Sequence, residues 1–505
     1  MSSLLRSRFS RWAFFWVFIG SLLRFWQLTV PQLWYDEIVT GWFGRLPIPQ
    51  LVAATQGDVH PPLWYLIEWV MVHIGGETDF SLRLPAVMLS IAALPLLVLI
   101  ARKLKLSEGA ALVGLALMAV SPFELYFAQE ARMYALLQFA AMLGAWSLLE
   151  RRWWLLSLSA VVMMYTHNYG IVYAAMLYAF ALIAEIHPFE IPDLLINRPL
   201  LPDWVMADYW KSIRTVFISG VVAVACYLPW VPSLLGQFKT MDHWWQQPTT
   251  FGAFIEPVHI FLWNASMLGD FYPIAQVVTY TLILFALLRI VQLRSKTALW
   301  LAVFLFAPMV FSVATEPFTH PTFLYRTFIG SAPALYLLIG WALTEKVDFP
   351  KRLIAGAVLA PLFAMAVIFY YPVTQFKGFT DAPQVLQEIE ANWQPGDIIY
   401  HMNTGSVVDF YYLRPDQPAV WEYVGPDLPG DVGTLSALTV KSMGLEQTDL
   451  DDLPWTRAWL VFSAGPTLGV AEDQLVKKLV SDYDGDEIST FSRQTYTGGL
   501  WLLHR

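Results

Sequence analysis

The sequence predicts a mainly α, polytopic membrane helical bundle followed by a small soluble α/β domain. Three observations lead there. Of the 505 residues, 57% are hydrophobic and only 14% charged, where a soluble protein carries roughly 25% charged residues. Long apolar runs recur from the N-terminus to about residue 371. Beyond about 374 they stop, and acidic residues outnumber basic ones by more than two to one. The mean hydropathy is +0.50, and the single cysteine, Cys226, excludes an intrachain disulfide and a cysteine metal site.

Apolar windows fall near 9–28, 83–101, 109–122, 131–149, 153–167, 169–186, 213–231, 274–291, 298–314, 327–345 and 352–371. These predict about eleven transmembrane helices, several of them shorter than the ~20 residues that cross a bilayer. Arg6, Arg8 and Arg11 lie at the start of the first window, and no small-x-small cleavage site follows Leu28, so it reads as a retained span with a cytoplasmic N-terminus. Basic residues then fall on the inside at every turn: Arg102, Lys103 and Lys105; Arg151 and Arg152; Lys211 and Arg214; Arg289, Arg294 and Lys296; Lys346, Lys351 and Arg352. Counting the short apolar stretch 62–75 as a further span would invert this order. It reads instead as an interfacial helix on the outer side, within a first external loop of 29–82. The loop 232–273 lies outside and is rich in aromatics, among them His243, Trp244 and Trp245.

The chain thus divides into a transmembrane domain, 1–373, and an extracytoplasmic domain, 374–505. In the latter, APQVLQEIEANW and EDQLVKKLVSDY read as helices, and PGDIIYHM, RAWLVFSA and GGLWLLHR as strands. No glycine-rich nucleotide fingerprint accompanies the strands, and neither a nucleotide cofactor nor a nucleic-acid partner is expected.

The same topology gathers polar groups on the outer face. Asp36 and Glu37 follow the first span. Asp58 and His60 precede the 62–75 helix. Glu130 and Arg132 sit in SPFELYFAQEARMY, His167 in YTHNYG, and His320 and Arg326 in THPTFLYR. Ionisable groups beside lipid are costly to keep and mark function. Sugar transfer from a polyprenyl phosphate suits them. It needs a base for the acceptor's proton, cations for the departing phosphate, and a site at the membrane surface, where the donor's tail stays in the bilayer.

The motifs WYDE at 34–37, GDVHPPLWYL at 57–66, RLPAVMLS at 83–90, SPFELYFAQEARMYAL at 121–136, YTHNYG at 165–170 and FLYRTFIGSAPALYLL at 323–338 carry a resemblance. In this order they resemble the GT-C fold glycosyltransferases of the protein O-mannosyltransferase and aminoarabinose-transferase superfamily, in its bacterial family 39-like branch. The resemblance implies an inverting integral-membrane transferase using a polyprenyl-phosphate sugar, mannose by analogy, with a protein, lipid or cell-envelope glycan as acceptor. It implies that Asp36 of the DE pair is the catalytic acid residue, with Glu37 beside it. Asp58, His60, Glu130, Arg132, His167 and Arg326 are then the donor phosphate and sugar site. A divalent metal ion on Asp36, Glu37, Asp58 and His60 is left open. The motifs do not reach the tail beyond 374, which is expected to be dispensable for the chemistry and to matter for the acceptor.

The alternative is a transporter or flippase of lipid-linked sugar. Transporters usually carry inverted repeats and mid-membrane ionisable groups; here no repeat is found and the polar groups cluster at one surface.

Overall fold

The computed structural model describes residues 7–31, 33–186, 203–240, 249–264, 272–318, 323–347, part of 353–371, 382–402, 408, 410, 422–424, 445–464, 470–493 and 496–505. His320, His243, Trp244 and Trp245 lie outside the described residues.

The described chain is helical up to its last 130 or so residues. It runs through α1 (Arg8–Phe25), α2 (Tyr35–Arg45), α3 (Ile48–Gly57), α4 (Leu63–Gly75), α5 (Asp79–Lys103), α6 (Glu108–Val120), α7 (Pro122–Ala128), α8 (Tyr134–Leu149), α9 (Trp153–Thr166) and α10 (Gly170–Ile186). Then follow α11 (Asp203–Tyr227), α12 (Val231–Thr240), α13 (Phe251–Trp263), α14 (Tyr272–Leu293), α15 (Lys296–Thr315) and α16 (Ala332–Thr344). Asp79–Lys103, Lys211–Gln237, Tyr272–Leu293, Lys296–Phe318 and Tyr325–Thr344 are long and apolar enough to cross a membrane. The chain is thus a multi-pass membrane protein. Further apolar helices, α4, α8, α9, α10 and α13 among them, are shorter than a full span, so helix length alone does not yield the expected eleven. The last window, 352–371, is helical at each described position.

The structure differs from the sequence reading at three places. The first external loop holds α2 and α3 besides the expected helix at 62–75, which is α4. The segment 232–273 holds α12 and α13 rather than a plain loop. The third window is filled by α6, but the stretch after it is no plain loop: the chain bends by 55° into α7. Pro122 causes that bend. It has no N–H to give to α6, and its ring is suited only to a first helical turn. Ser121 caps the new helix, its hydroxyl accepting from the Glu124 N–H.

By compactness the described chain forms two units. The first comprises Met1–Thr29, His60–Leu235 and Gln246–Thr374; the second comprises Val30–Val59, Gly236–Trp245 and Gln375–Arg505. In the first unit the helices approach through small residues. A side chain on Gly340 of α16 would meet the Ala110 carbonyl of α6 at 2.3 Å. Such contacts bring backbones together where no hydrophobic force drives helices to pair.

In the second unit α17 (Ala382–Ala391) and α18 (Val470–Asp482) accompany a sheet of β1 (Asp397–His401), β2 (Glu422–Val424), β3 (Glu446–Gln447), β4 (Arg457–Ala464), β5 (Asp486–Arg493) and β6 (Tyr496–His504). The order is β3-β2-β1-β4-β6-β5. The β1–β2, β2–β3 and β1–β4 pairs are parallel, while β6 runs antiparallel to both β4 and β5. The apolar strand β1 is buried along its whole length, as a parallel strand flanked on both sides must be. One face packs Ile398, Tyr400 and Leu460 with Trp455 and Trp501. The other packs Ile399 and Trp459 against Leu386 and Ile389 of α17.

Candidate active site

In the first unit, segments far apart in sequence meet around His167. Helix α9 ends at Thr166, and His167 leaves it in an extended conformation with its N–H still bonded to Met163 O. The turn is tight. A Cβ on Gly170 would lie 2.0 Å from Met163 O, so only glycine lets α10 start this close to α9. The Tyr169 N–H donates to His167 Nδ1 at 2.9 Å. With Nδ1 accepting, the neutral ring carries its proton on Nε2.

The His60 ring meets the His167 ring edge to face, centroids 5.2 Å apart. The Tyr134 ring centroid stands 6.1 Å from that of His167, and the Arg326 guanidinium lies 5.9 Å from the centroid of Tyr134. Burial, then the neighbouring His60, Arg326 and Arg132, hold the His167 imidazole well below the ordinary histidine range. His167 is therefore neutral at pH 7, and its Nε2–H is a donor among cations.

Arg132 belongs to the short non-helical link between α7 and α8. That link is held on two sides. Trp64 Nε1 of α4 donates to the Ala131 carbonyl at 3.2 Å, and Arg132 Nη1 donates to the Tyr65 hydroxyl at 3.3 Å. The Gln129 amide nitrogen donates to the carbonyls of Leu23, Arg24 and Trp26 at the end of α1. Glu130 and Arg132 are 1% and 4% exposed, so these charges are fixed rather than solvated. Glu130 and Arg326 both lie within electrostatic reach of the Tyr325 hydroxyl.

The structure thus brings together His60, Glu130, Arg132, His167 and Arg326 from four stretches of sequence. Asp36, Glu37 and Asp58 belong to the second unit. Asp36 and Glu37 occupy the first turn of α2, where the helix dipole favours carboxylates. The buried Glu37 carboxylate accepts from the Trp34 N–H at 3.3 Å. Asp36 is half-buried, and its carbonyl accepts from the Thr40 hydroxyl. Asp58 caps the end of α3. Among the described residues, no three His, Cys, Asp or Glu side chains form a group that could hold a metal ion.

Tyr65, Tyr134 and Tyr169 join the site without having been singled out from the sequence. Each sits inside a quoted motif, HPPLWY, EARMY or YTHNYG, so the signal was there, but a tyrosine beside an apolar run reads equally well as an interfacial anchor.

Chemically, two guanidiniums, two imidazoles and a buried carboxylate stand together here. Arginine offers planar paired donors to phosphate oxygens.

Known proteins bear on this geometry. Residues 59–190 match the family model of dolichyl-phosphate-mannose-protein mannosyltransferase. No curated protein matches the chain. Among solved structures, ArnT from Cupriavidus metallidurans in the apo state superposes with a TM-score of 0.60 at 14% identity, over 97% of this chain and 98% of that one. The same protein bound to undecaprenyl phosphate gives 0.58 at 15%, again over 97% and 98%. The chain has the fold of ArnT, the GT-C fold, and its mannosyltransferase-family match covers the stretch that holds His60, Glu130, Arg132 and His167.

Proposed function

We propose that this protein is an integral-membrane inverting glycosyltransferase that moves a sugar from a polyprenyl-phosphate donor to an acceptor at the outer face of the cell membrane. The observation that carries the reading is the convergence of Arg132, Arg326, His60 and His167 in one site. Arg132 and Arg326 hold the donor phosphate, and the Nε2–H of His167 adds a neutral donor to it. His60, Asp58 and Glu130 line the sugar and phosphate site. Asp36 takes the proton of the acceptor as its oxygen or nitrogen attacks the anomeric carbon. The bond from that carbon to the phosphate oxygen breaks, and its electrons leave with the polyprenyl phosphate held by the arginines. A single attack opposite the leaving group gives inversion. Glu37 orients the start of α2.

The matched mannosyltransferase model makes a mannose-like sugar the first donor to try, and ArnT bound to undecaprenyl phosphate makes undecaprenyl the first carrier. The acceptor is a protein, lipid or cell-envelope glycan. The N-terminus lies in the cytoplasm and the tail outside.

The test is release of polyprenyl phosphate from a labelled polyprenyl-phosphate mannose by purified protein in detergent. Release that depends on Asp36 supports the transferase. Movement of intact donor between leaflets of a reconstituted vesicle, without bond cleavage, would identify a flippase instead.

A further inference from the structure

Arg24 lies near the end of the first helix, fully buried, and takes no part in the site described above. Its side chain is nonetheless committed. Nε donates to the Ser90 hydroxyl at 2.8 Å. Nη1 donates to the Gly20 carbonyl at 3.0 Å and the Ala119 carbonyl at 3.1 Å. Nη2 donates to the Met118 carbonyl at 3.2 Å. Met118 and Ala119 are in the last turn of α6.

Those two carbonyls explain the arginine. In an unbroken helix Met118 O would accept from the N–H four residues on, which is residue 122. Residue 122 is proline and has no N–H. Ala119 O would accept from residue 123, which here belongs to the helix beyond the 55° bend. Orphaned carbonyls in a lipid-surrounded bundle are costly, because no water is there to pair with them. The guanidinium of Arg24 supplies the missing donors. Glu124, in the first turn of α7, interacts electrostatically with it and is held by the Gln138 amide at 2.8 Å.

The far end of α7 returns to the same residue. The Gln129 amide nitrogen donates to the Arg24 carbonyl at 3.1 Å and the Trp26 carbonyl at 2.7 Å. Its oxygen accepts from the Tyr370 hydroxyl at 2.9 Å. One turn of α1 therefore holds both ends of α7, and the residues directly after Gln129 are Glu130, Ala131 and Arg132.

We infer that Arg24 is a positioning residue for donor binding: by stabilising the bend at Pro122 it sets where α7 delivers Glu130 and Arg132. The inference rests on the proposed transferase reading. Arg24 itself does not touch the donor.

The experiment compares wild type, Arg24→Lys, Arg24→Met and the double variant Arg24→Met with Pro122→Ala, in detergent, by thermal unfolding, donor affinity and turnover. Pro122→Ala restores an N–H for Met118 O and lets α6 run straight, so the double variant regains backbone pairing without the bend. A purely structural arginine predicts that stability and donor affinity recover together. Positioning predicts recovered stability with donor affinity still at least tenfold weaker. Arg24→Lys keeps the charge but loses the planar fork, and is expected to fold and to bind donor about tenfold more weakly. Wild-type donor affinity in whichever of these variants folds would overturn the inference. Failure of wild type itself to cleave the donor would instead refute the transferase reading, and the two failures are told apart by that control.

Discussion

The backbone N–H of Tyr169 donates to Nδ1 of His167 at 2.9 Å. The bond leaves no room for a proton on Nδ1, and it joins burial and three cationic or imidazole neighbours in disfavouring the charged ring. Because the folded-state pKa is lowered, the unfolded chain binds a proton in the range where the folded chain does not. Stability is then full above the unfolded value of about 6.5 and falls as pH drops below it. His167→Gln should flatten the acid side of the stability profile below about pH 6.5 relative to wild type. Thermal unfolding across that range checks it. At pH 7–8 the same variant should bind donor within a few-fold of wild type, because glutamine keeps an N–H donor, whereas His167→Ala should lose about tenfold or more.

Arg132 and Arg326 approach the histidine pair from different elements, and Arg132 is oriented by the Tyr65 hydroxyl. A hydrogen bond to a charged group contributes roughly 1.5–3 kcal/mol. Each single alanine variant should therefore weaken donor binding by at least tenfold, and Tyr65→Phe should weaken it by less, since it leaves the guanidinium present but less constrained. Equilibrium binding of labelled donor measures all three. Unchanged affinity in both arginine variants would mean that these side chains only anchor the helices at the interface.

Much of this architecture is legible in the sequence, and the exceptions have physical causes. The strands DIIYH, RAWLVFSA and YTGGLWLLH announce themselves by continuous apolar and aromatic residues. Strand β5 does not: DEISTFSR is largely polar, lies at the sheet edge, and owes its conformation to pairing with β6. Strands β2 and β3, of three and two residues, are too short to show a period. The bend at Pro122 falls at the end of the third apolar window, where a turn into a further short helix reads no differently from the start of a loop. His60 and His167 were each visible beside an apolar run, but their ring contact is a consequence of tertiary packing, which no local pattern encodes. The pairing of Arg24 with the carbonyls of α6 was invisible for the same reason, since it joins residues 95 positions apart.

In the second unit, Asp397 accepts from Arg457 at 2.6 Å and from the Trp459 indole at 2.9 Å, and its carboxylate is almost wholly buried. Burial pushes its pKa up, but the bonds from Arg457, the Gln394 N–H and Trp459 outweigh burial and leave it lowered. A lowered carboxylate stabilises the fold above its unfolded value of about 3.9 and loses that contribution as pH falls through the folded value. Asp397→Asn should cost roughly 1.5–3 kcal/mol at pH 7. Hydrogen exchange at β1 and β4 should speed up in the variant, and the difference from wild type should shrink in acid.

The loop that carries Asp36 belongs to the same compact unit as the C-terminal residues. This bears on the expectation that the tail is dispensable for chemistry. Removing residues from 375 onward takes away most of the unit in which α2 sits. The expected outcome is a truncated protein that still binds donor through Arg132 and Arg326 but turns it over more slowly. Donor affinity and single-turnover rate, measured on the same truncated preparation, separate the two. A truncation with full turnover would show that α2 keeps its place without the tail.

Asp36 and Glu37 are neighbours in the first turn of α2 and, being about 100° apart around the helix, face different directions. Glu37 is buried and spends its carboxylate on the Trp34 N–H. That is a capping role, and Glu37→Gln should cost about 0.5–2 kcal/mol of stability, as the loss of a helix cap does, with turnover per folded molecule reduced only modestly. Asp36 is half-buried and is the member of the pair assigned to the acceptor's proton. Removing a general base typically costs 10²–10⁴-fold, so Asp36→Asn should lose at least that much turnover while donor affinity stays within a few-fold of wild type. The asparagine is isosteric, so a collapse of the helix start is not expected to confuse the reading, and thermal unfolding verifies this. The decisive comparison is single-turnover rate against donor affinity in both variants. A folded Asp36→Asn protein that turns over donor at a near-normal rate would remove Asp36 from the chemistry and leave it, like Glu37, a residue that shapes the first turn of α2.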